Sequence, residues 1–125
     1  MSNLKRGFKR LLGCAVLSAL STAVLAHHGW SWYGNQAFEL TATVVEVNFG
    51  NPHDRLVLEK DGQRWNVLLS PPGRTRNAGL DADMVKVGDM VTAHGHRRSE
   101  GDTFEMKTER IEVGGTLYDL YPNRS

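Results

Sequence analysis

The chain has 125 residues, with 15 Lys and Arg against 14 Asp and Glu, five His and one Cys. A lone cysteine excludes an intrachain disulfide and a thiolate metal cage, and the length holds one small domain with no second core. The charge is near balance as written and turns acidic once the N-terminal segment is set aside, which argues against nucleic acid as a partner.

Taken in chain order, the first segment reads as an export signal. Lys5, Arg6, Lys9 and Arg10 form a positive head, Leu11 to Ala26 is uncharged and largely apolar, and Val24-Leu25-Ala26 is a small-residue cleavage site. The apolar run is shorter than the roughly 20 residues a spanning helix needs, so the expected product is periplasmic or secreted and not membrane-embedded after cleavage. Leu11-Leu12-Gly13-Cys14 resembles a lipoprotein box but precedes the apolar run where such a box follows it; an uncleaved anchor is the other alternative. Cleavage after Ala26 removes four basic residues and no acidic one, leaving 11 against 14, a net charge of −3 over residues 27–125, and removes Cys14 as well.

Residues 27–37 are aromatic and polar without periodicity and read as an arm leading into a domain over 38–125. Phe38 to Phe49 is a strand whose apolar phase changes midway: Leu40, Ala42 and Val44 share one face, Val45, Val47 and Phe49 the other. That change predicts a bulge or sharp bend. Gly50-Asn51-Pro52 is a turn, Arg55 to Lys60 a second strand, Asp61-Gly62 a hairpin turn, and Trp65, Val67 and Leu69 mark one face of a third strand. After Ser70-Pro71-Pro72-Gly73, Arg74 to Ala78 suit one or two helical turns closed by Gly79. Met90 to His96 is a fourth strand with Val91, Ala93 and Gly95 inward, Thr103 to Val113 a fifth, and Leu117 to Pro122 packs across the outside.

Three strands, a short helix and two strands, with a bent first strand, is the order of an all-β, five-stranded, OB-fold-like Greek-key barrel. Another small β-barrel or sandwich is the alternative. Several local features together resemble the domain-of-unknown-function family numbered 6152, small exported bacterial proteins: Ala26-His27-His28-Gly29-Trp30, Asn51-Pro52-His53, Pro71-Pro72 with Arg74 and Ala78-Gly79-Leu80, Val87-Gly88-Asp89 with Val91 and Gly95, and Glu109-Arg110-Ile111. That resemblance implies an exported β-rich domain and carries over no activity and no catalytic residues.

All five histidines fall after the cleavage site: His27, His28, His53, His94 and His96. Cleavage would make His27 the N-terminus, and its α-amine and ring Nδ1 could then close a chelate ring on a metal. A nitrogen-rich, roughly planar set of this kind suits Cu(II), resembling the histidine brace of copper monooxygenases and of some periplasmic copper carriers at that one residue. In an OB barrel the loops joining strands 1 and 2 and strands 4 and 5 flank the usual binding face; the first carries His53 and the fourth strand ends on His94-Gly95-His96. The candidate metal ligands are therefore His27, His28, His53 and His96, with His94 a weaker one. Other readings of the same residues are a solvated terminus, a turn residue at His53 and two water-facing rings on the fourth strand.

Trp30, Trp32 and Tyr33 suit either stacking on a carbohydrate or packing of the arm on the barrel. Arg74, Arg76, Arg97 and Arg98 form either an anion site or, with Asp81, Asp83, Glu100 and Asp102, a mixed solvated surface. No nucleophile elbow, phosphate loop or carboxylate pair is present. The expected function is a non-enzymatic binding domain: a copper carrier or buffer that passes the ion to an envelope protein. The alternatives are a metal-free module for a glycan, peptide or protein and, ranked last, a copper-dependent oxidase.

Overall fold

The computed structural model describes residues 29–124. The chain divides into two compact units, Met1–Ser31 and Trp32–Ser125. Only residues 29–31 of the first are described, so His27 and His28 lie outside the described residues; a 3-10 turn covers Trp30–Trp32.

The second unit is a closed, mostly β barrel. Its strands are β1 (Phe38–Asn48), β2 (Arg55–Lys60), β3 (Gln63–Leu68), β4 (Met90–Arg97), β5 (Glu105–Val113) and β6 (Thr116–Asp119), with one helix, α1 (Pro72–Asn77), between β3 and β4. They are ordered β3-β2-β1-β4-β5-β6, and a parallel pairing of β3 with β5 over Asn66–Leu68 closes the ring. Five strands make the barrel; β6 is a short hairpin partner of β5 on its outside. Leu117 to Pro122 thus does more than pack across the surface. Thr116–Asp119 joins the sheet, and Leu120 is fully buried.

β1 serves both halves of the barrel. Phe38–Thr43 pairs with β4 and Thr43–Asn48 with β2, and the register shift between Val44 and Glu46 leaves Val45 as an extra residue, the bend expected from the change of apolar phase. The alternation then decides what is inside: Leu40, Ala42 and Val44 from β1, Leu56 and Leu58 from β2, Trp65 and Val67 from β3 followed by Leu69, and Val91 and Ala93 from β4 are all buried. Asp61 and Gly62 both take positive φ (51° and 78°), as a type I′ hairpin turn requires.

α1 closes one end of the barrel. Pro72 opens it, where a missing N–H costs nothing. Buried Thr75 donates its hydroxyl to the Ser70 carbonyl at 3.2 Å and lies 2.8 Å from the Ser70 hydroxyl. Gly79 ends the helix at φ 98°, and Leu80 then plugs the core. No helix among the described residues is long and apolar enough to cross a membrane.

A second bulge governs the far side. The ladder pairs His94 with Arg110 but Gly95 with Thr108, which leaves Glu109 unpaired as the extra residue of β5. Its carbonyl is taken up by the amides of Leu120 (2.8 Å) and Tyr121 (3.2 Å), so the bulge anchors the C-terminal tail. Gly95 sits against the same irregularity: a Cβ there would collide with the Lys107 carbonyl oxygen and lie 2.9 Å from both the Lys107 carbonyl carbon and the Thr108 Cα.

Candidate binding cleft

The loop from Gly50 to Asp54 joins β1 to β2 and includes a cis Asn51–Pro52 bond. Asp54 braces it. The carboxylate, only 2% exposed, accepts from the Gly50 amide at 2.7 Å. The Asp54 amide donates to the Ser70 carbonyl (2.9 Å), and the Leu69 amide donates to the Asp54 carbonyl (2.8 Å). One end of the loop is thereby tied to the residues that follow β3.

Between this loop and the β3–β5 seam lies an open cleft of about 520 Å³. Its polar lining is Asn48, Asn51, His53, Arg55, Asn66 and Glu105, and Phe49, Pro52 and Leu68 supply apolar wall. Of the two loops that flank the ligand face of an OB barrel, the one joining β1 to β2 lines this cleft.

Glu105 is the wall's acid, and its bonds are already made. One carboxylate oxygen accepts from the Tyr33 hydroxyl and from Arg98, each at 3.0 Å; the other accepts from the Asn66 amide at 3.0 Å. Burial, and then the charge of Glu105, push the Tyr33 phenol far above its ordinary range. The second link is backbone: the Gly34 amide donates to the Arg97 carbonyl (2.8 Å) and the Ser99 amide to the Trp32 carbonyl (2.9 Å). The segment from Trp32 to Gly34, read from sequence as part of an arm, is therefore fastened beside the cleft, and Tyr33 is buried.

The other cleft groups have bonding capacity in hand. Among the described residues, the rings and side chains of Asn48, Asn51, His53 and Arg55 make no hydrogen bond or ion pair, and Asn66 Oδ1 is a buried acceptor without a partner. Burial and the nearby Lys107 ammonium lower the pKa of His53 from 6.5, Asp54 opposing them more weakly, so the imidazole is uncharged at neutral pH. Lys107 itself is buried, and its pKa falls below 10.5 through burial and the charge of Arg124.

The remaining histidines lie elsewhere on the barrel. His94 faces two acids across its neighbouring strands, Glu39 at 3.4 Å and Glu112 at 3.9 Å. His96 stands beside the bulge: its Nε2 is 2.9 Å from Glu109, its Nδ1 3.2 Å from the Gln36 carbonyl, and Arg124 approaches the same Glu109 oxygen at 3.5 Å. Both ring nitrogens of His96 are engaged, so a metal there would have to break one of these contacts. Among the described residues no three His, Cys, Asp or Glu side chains gather as a metal group. His53 and His96 alone of the four candidate ligands are described, and each has its own surroundings.

The arginines considered as an anion site are mostly engaged too. Arg97 lies over the rings of Trp65 (5.0 Å) and Phe104 (5.3 Å), Arg98 over Trp32 (5.2 Å) and Arg74 over Tyr121 (4.7 Å). The cleft residues that sequence reasoning missed include Asn48, Arg55, Asn66 and Glu105. The only hint was their flank of polar residues on otherwise apolar strands, a pattern shared by every solvated strand face.

Fold and site together define a small OB-fold barrel with a polar cleft at its loop end. The chain belongs to a family of unknown function (DUF6152), whose profile matches residues 15–107. Among solved structures it is similar to the S. pombe Stn1-Ten1 complex (TM-score 0.51, 13% identity, 62% of this chain and 57% of that one). It is similar also to asparaginyl-tRNA synthetase from Pyrococcus horikoshii complexed with asparaginyl-adenylate (TM-score 0.51, 12% identity, 76% of this chain and 23% of that one). A third match is a ZRD-deleted mutant of TiaS in complex with agmatine (TM-score 0.51, 16% identity, 71% and 27%). This chain spans little more than half of the first of these and about a quarter of the others, and at such identities the likeness is one of fold. No curated protein matches the sequence.

Proposed function

We propose that this protein is an exported binding module, and that the cleft between the β1–β2 loop and the β3–β5 seam takes a small polar ligand or the polar end of a larger one. One observation carries the reading: Asn48, Asn51, His53 and Arg55 line one cleft with side chains that make no hydrogen bond or ion pair among the described residues. Glu105, by contrast, lines the same cleft with both carboxylate oxygens already engaged. A cleft of about 520 Å³ falls inside the usual range for small-ligand sites, roughly 300 to 1,000 Å³. The test is a screen of polar fragments against the isotopically labelled exported protein. Hits should shift the amides of Asn51, His53 and Asn66 and be lost in Asn51→Ala. Hits that cluster away from these amides would refute the assignment.

A second reading, copper carriage, is favoured by the uncharged state of the His53 imidazole, since a ring nitrogen must be unprotonated to bind a metal. Its ligands would be the amine and ring of His27 with either His28 or His53, His96 being a further candidate. Cu(II) titration of the cleaved protein should show binding at least ten-fold tighter than a form carrying two extra residues before His27. Equal affinity in the two forms would sink this reading.

A further inference from the structure

The proposal that follows rests on the cleft being a ligand site and concerns which ligand it takes. Arg55 opens β2 and lines the cleft, exposed, and makes no ion pair among the described residues. Both acids near it are committed elsewhere. Glu105 is held by Tyr33, Arg98 and Asn66, and Asp54 is turned to the Gly50 amide. Lys107 adds a second positive charge behind the wall, and its field at His53 outweighs that of Asp54. The cleft therefore offers a guanidinium with no counter-ion, whose planar fork matches a carboxylate.

The rest of the lining narrows the class further. Two carboxamides, Asn48 and Asn51, and an uncharged imidazole are groups that both donate and accept, which suits a set of hydroxyls. Phe49 and Pro52 add apolar lining, which suits the C–H face of a ring. An extended peptide is disfavoured by the backbone. Arg55 is paired to Asn48 on one side and to Leu68 on the other, and Leu68 is paired onward to Lys107, so no open strand edge borders the cleft for a further strand to join.

We propose that the cleft binds an acidic sugar unit, a hexuronate either by itself or at the end of a glycan, with the carboxylate on Arg55, the hydroxyls on the Asn side chains and His53, and the ring face against Phe49 and Pro52.

The test is amide-shift titration of the cleaved, exported protein with glucuronate, glucose, acetate and a trigalacturonate. Glucuronate should shift the amides of Gly50, Asn51, His53 and Arg55 and bind at least ten-fold more tightly than either glucose or acetate. Arg55→Gln should bring glucuronate down to the level of glucose, and Arg55→Lys should fall between. The spread of the amide spectrum verifies that both variants are folded. Tighter binding of the trisaccharide points to a glycan end, and equal binding to the free sugar. Glucose binding as well as glucuronate, or Arg55→Gln leaving glucuronate unaffected, would overturn the acidic specificity while the cleft remained a ligand site. Acetate as tight as glucuronate would overturn the sugar and leave only a small-anion site. No shift at the cleft with any of the four, with polar fragments still binding there, would overturn this proposal alone; silence toward fragments too would overturn both.

Discussion

Replacing Gly95 by alanine should be among the most damaging single changes in the barrel. The new Cβ would overlap the Lys107 carbonyl oxygen and lie 2.9 Å from two further backbone atoms, the Lys107 carbonyl carbon and the Thr108 Cα. All three belong to β5, so no side chain can swing aside. The strands must separate by about 1 Å or more, which stretches the ladder beside the bulge beyond the usual range of about 2.7 to 3.2 Å for N–H···O bonds. Overpacking of this kind costs about 1–3 kcal/mol, and losing one or two ladder bonds adds about 1 kcal/mol each. The total is roughly 2–5 kcal/mol, or about 8–40 °C in Tm for a domain of this size. Circular-dichroism melts of wild type, Gly95→Ala and Gly101→Ala would measure it. At Gly101 a Cβ meets nothing within 4 Å, so that variant should melt within about 4 °C of wild type. A Gly95→Ala protein melting equally close to wild type would refute the close-approach argument.

Other outcomes follow from the cleft and its supports. Asp54→Ala removes a short, charge-assisted bond to the Gly50 amide and should cost about 1.5–3 kcal/mol, with faster hydrogen exchange at Gly50; unchanged exchange there would count against the brace. Tyr33→Phe removes one of three donors to Glu105 and should cost about 1–2 kcal/mol. The amides of Gly34 and Ser99 should exchange sooner, and melting midpoints with native-state exchange would show whether they do. His53 has a folded pKa below 6.5, so between the two values the unfolded chain holds a proton that the folded one lacks. Stability therefore rises with pH through that window and is lost as pH falls below about 6.5. The urea midpoint of His53→Gln, followed from pH 7.5 to 5, should fall less steeply than that of wild type; parallel curves would show that the ring titrates normally.

The legible parts of the fold were those carried by local pattern. β1 and its phase change, the alternation in β2 and β3, the Asp61-Gly62 turn and the helix closed by Gly79 each have a short-range cause, so each could be read in order and assembled into the barrel. β6 was missed because Thr116–Asp119 is four residues long, with Leu117 exposed and only Leu120 beyond it fully buried. Nothing adjacent to Glu109 in the sequence shows that it is a bulged residue whose carbonyl holds the C-terminal tail. Gly95 was read as an inward position; the reason it must be glycine lies in β5.

The site divides along the same line. His53 was recognisable as a loop residue at the binding end of an OB barrel, because loop order follows from strand order. Its partners in the cleft come from β1, β2, β3 and β5, and which of them retain bonding capacity depends on contacts such as Tyr33 to Glu105, 72 residues apart. By itself the sequence determined the periodicity, the turns and thus the barrel, since these depend on backbone preference and on which alternate side chains avoid water. Only the tertiary structure decided that Glu105 is spent and Arg55 is not, because a charge is neutralised by what lies within a few ångströms, and barrel closure sets those neighbours.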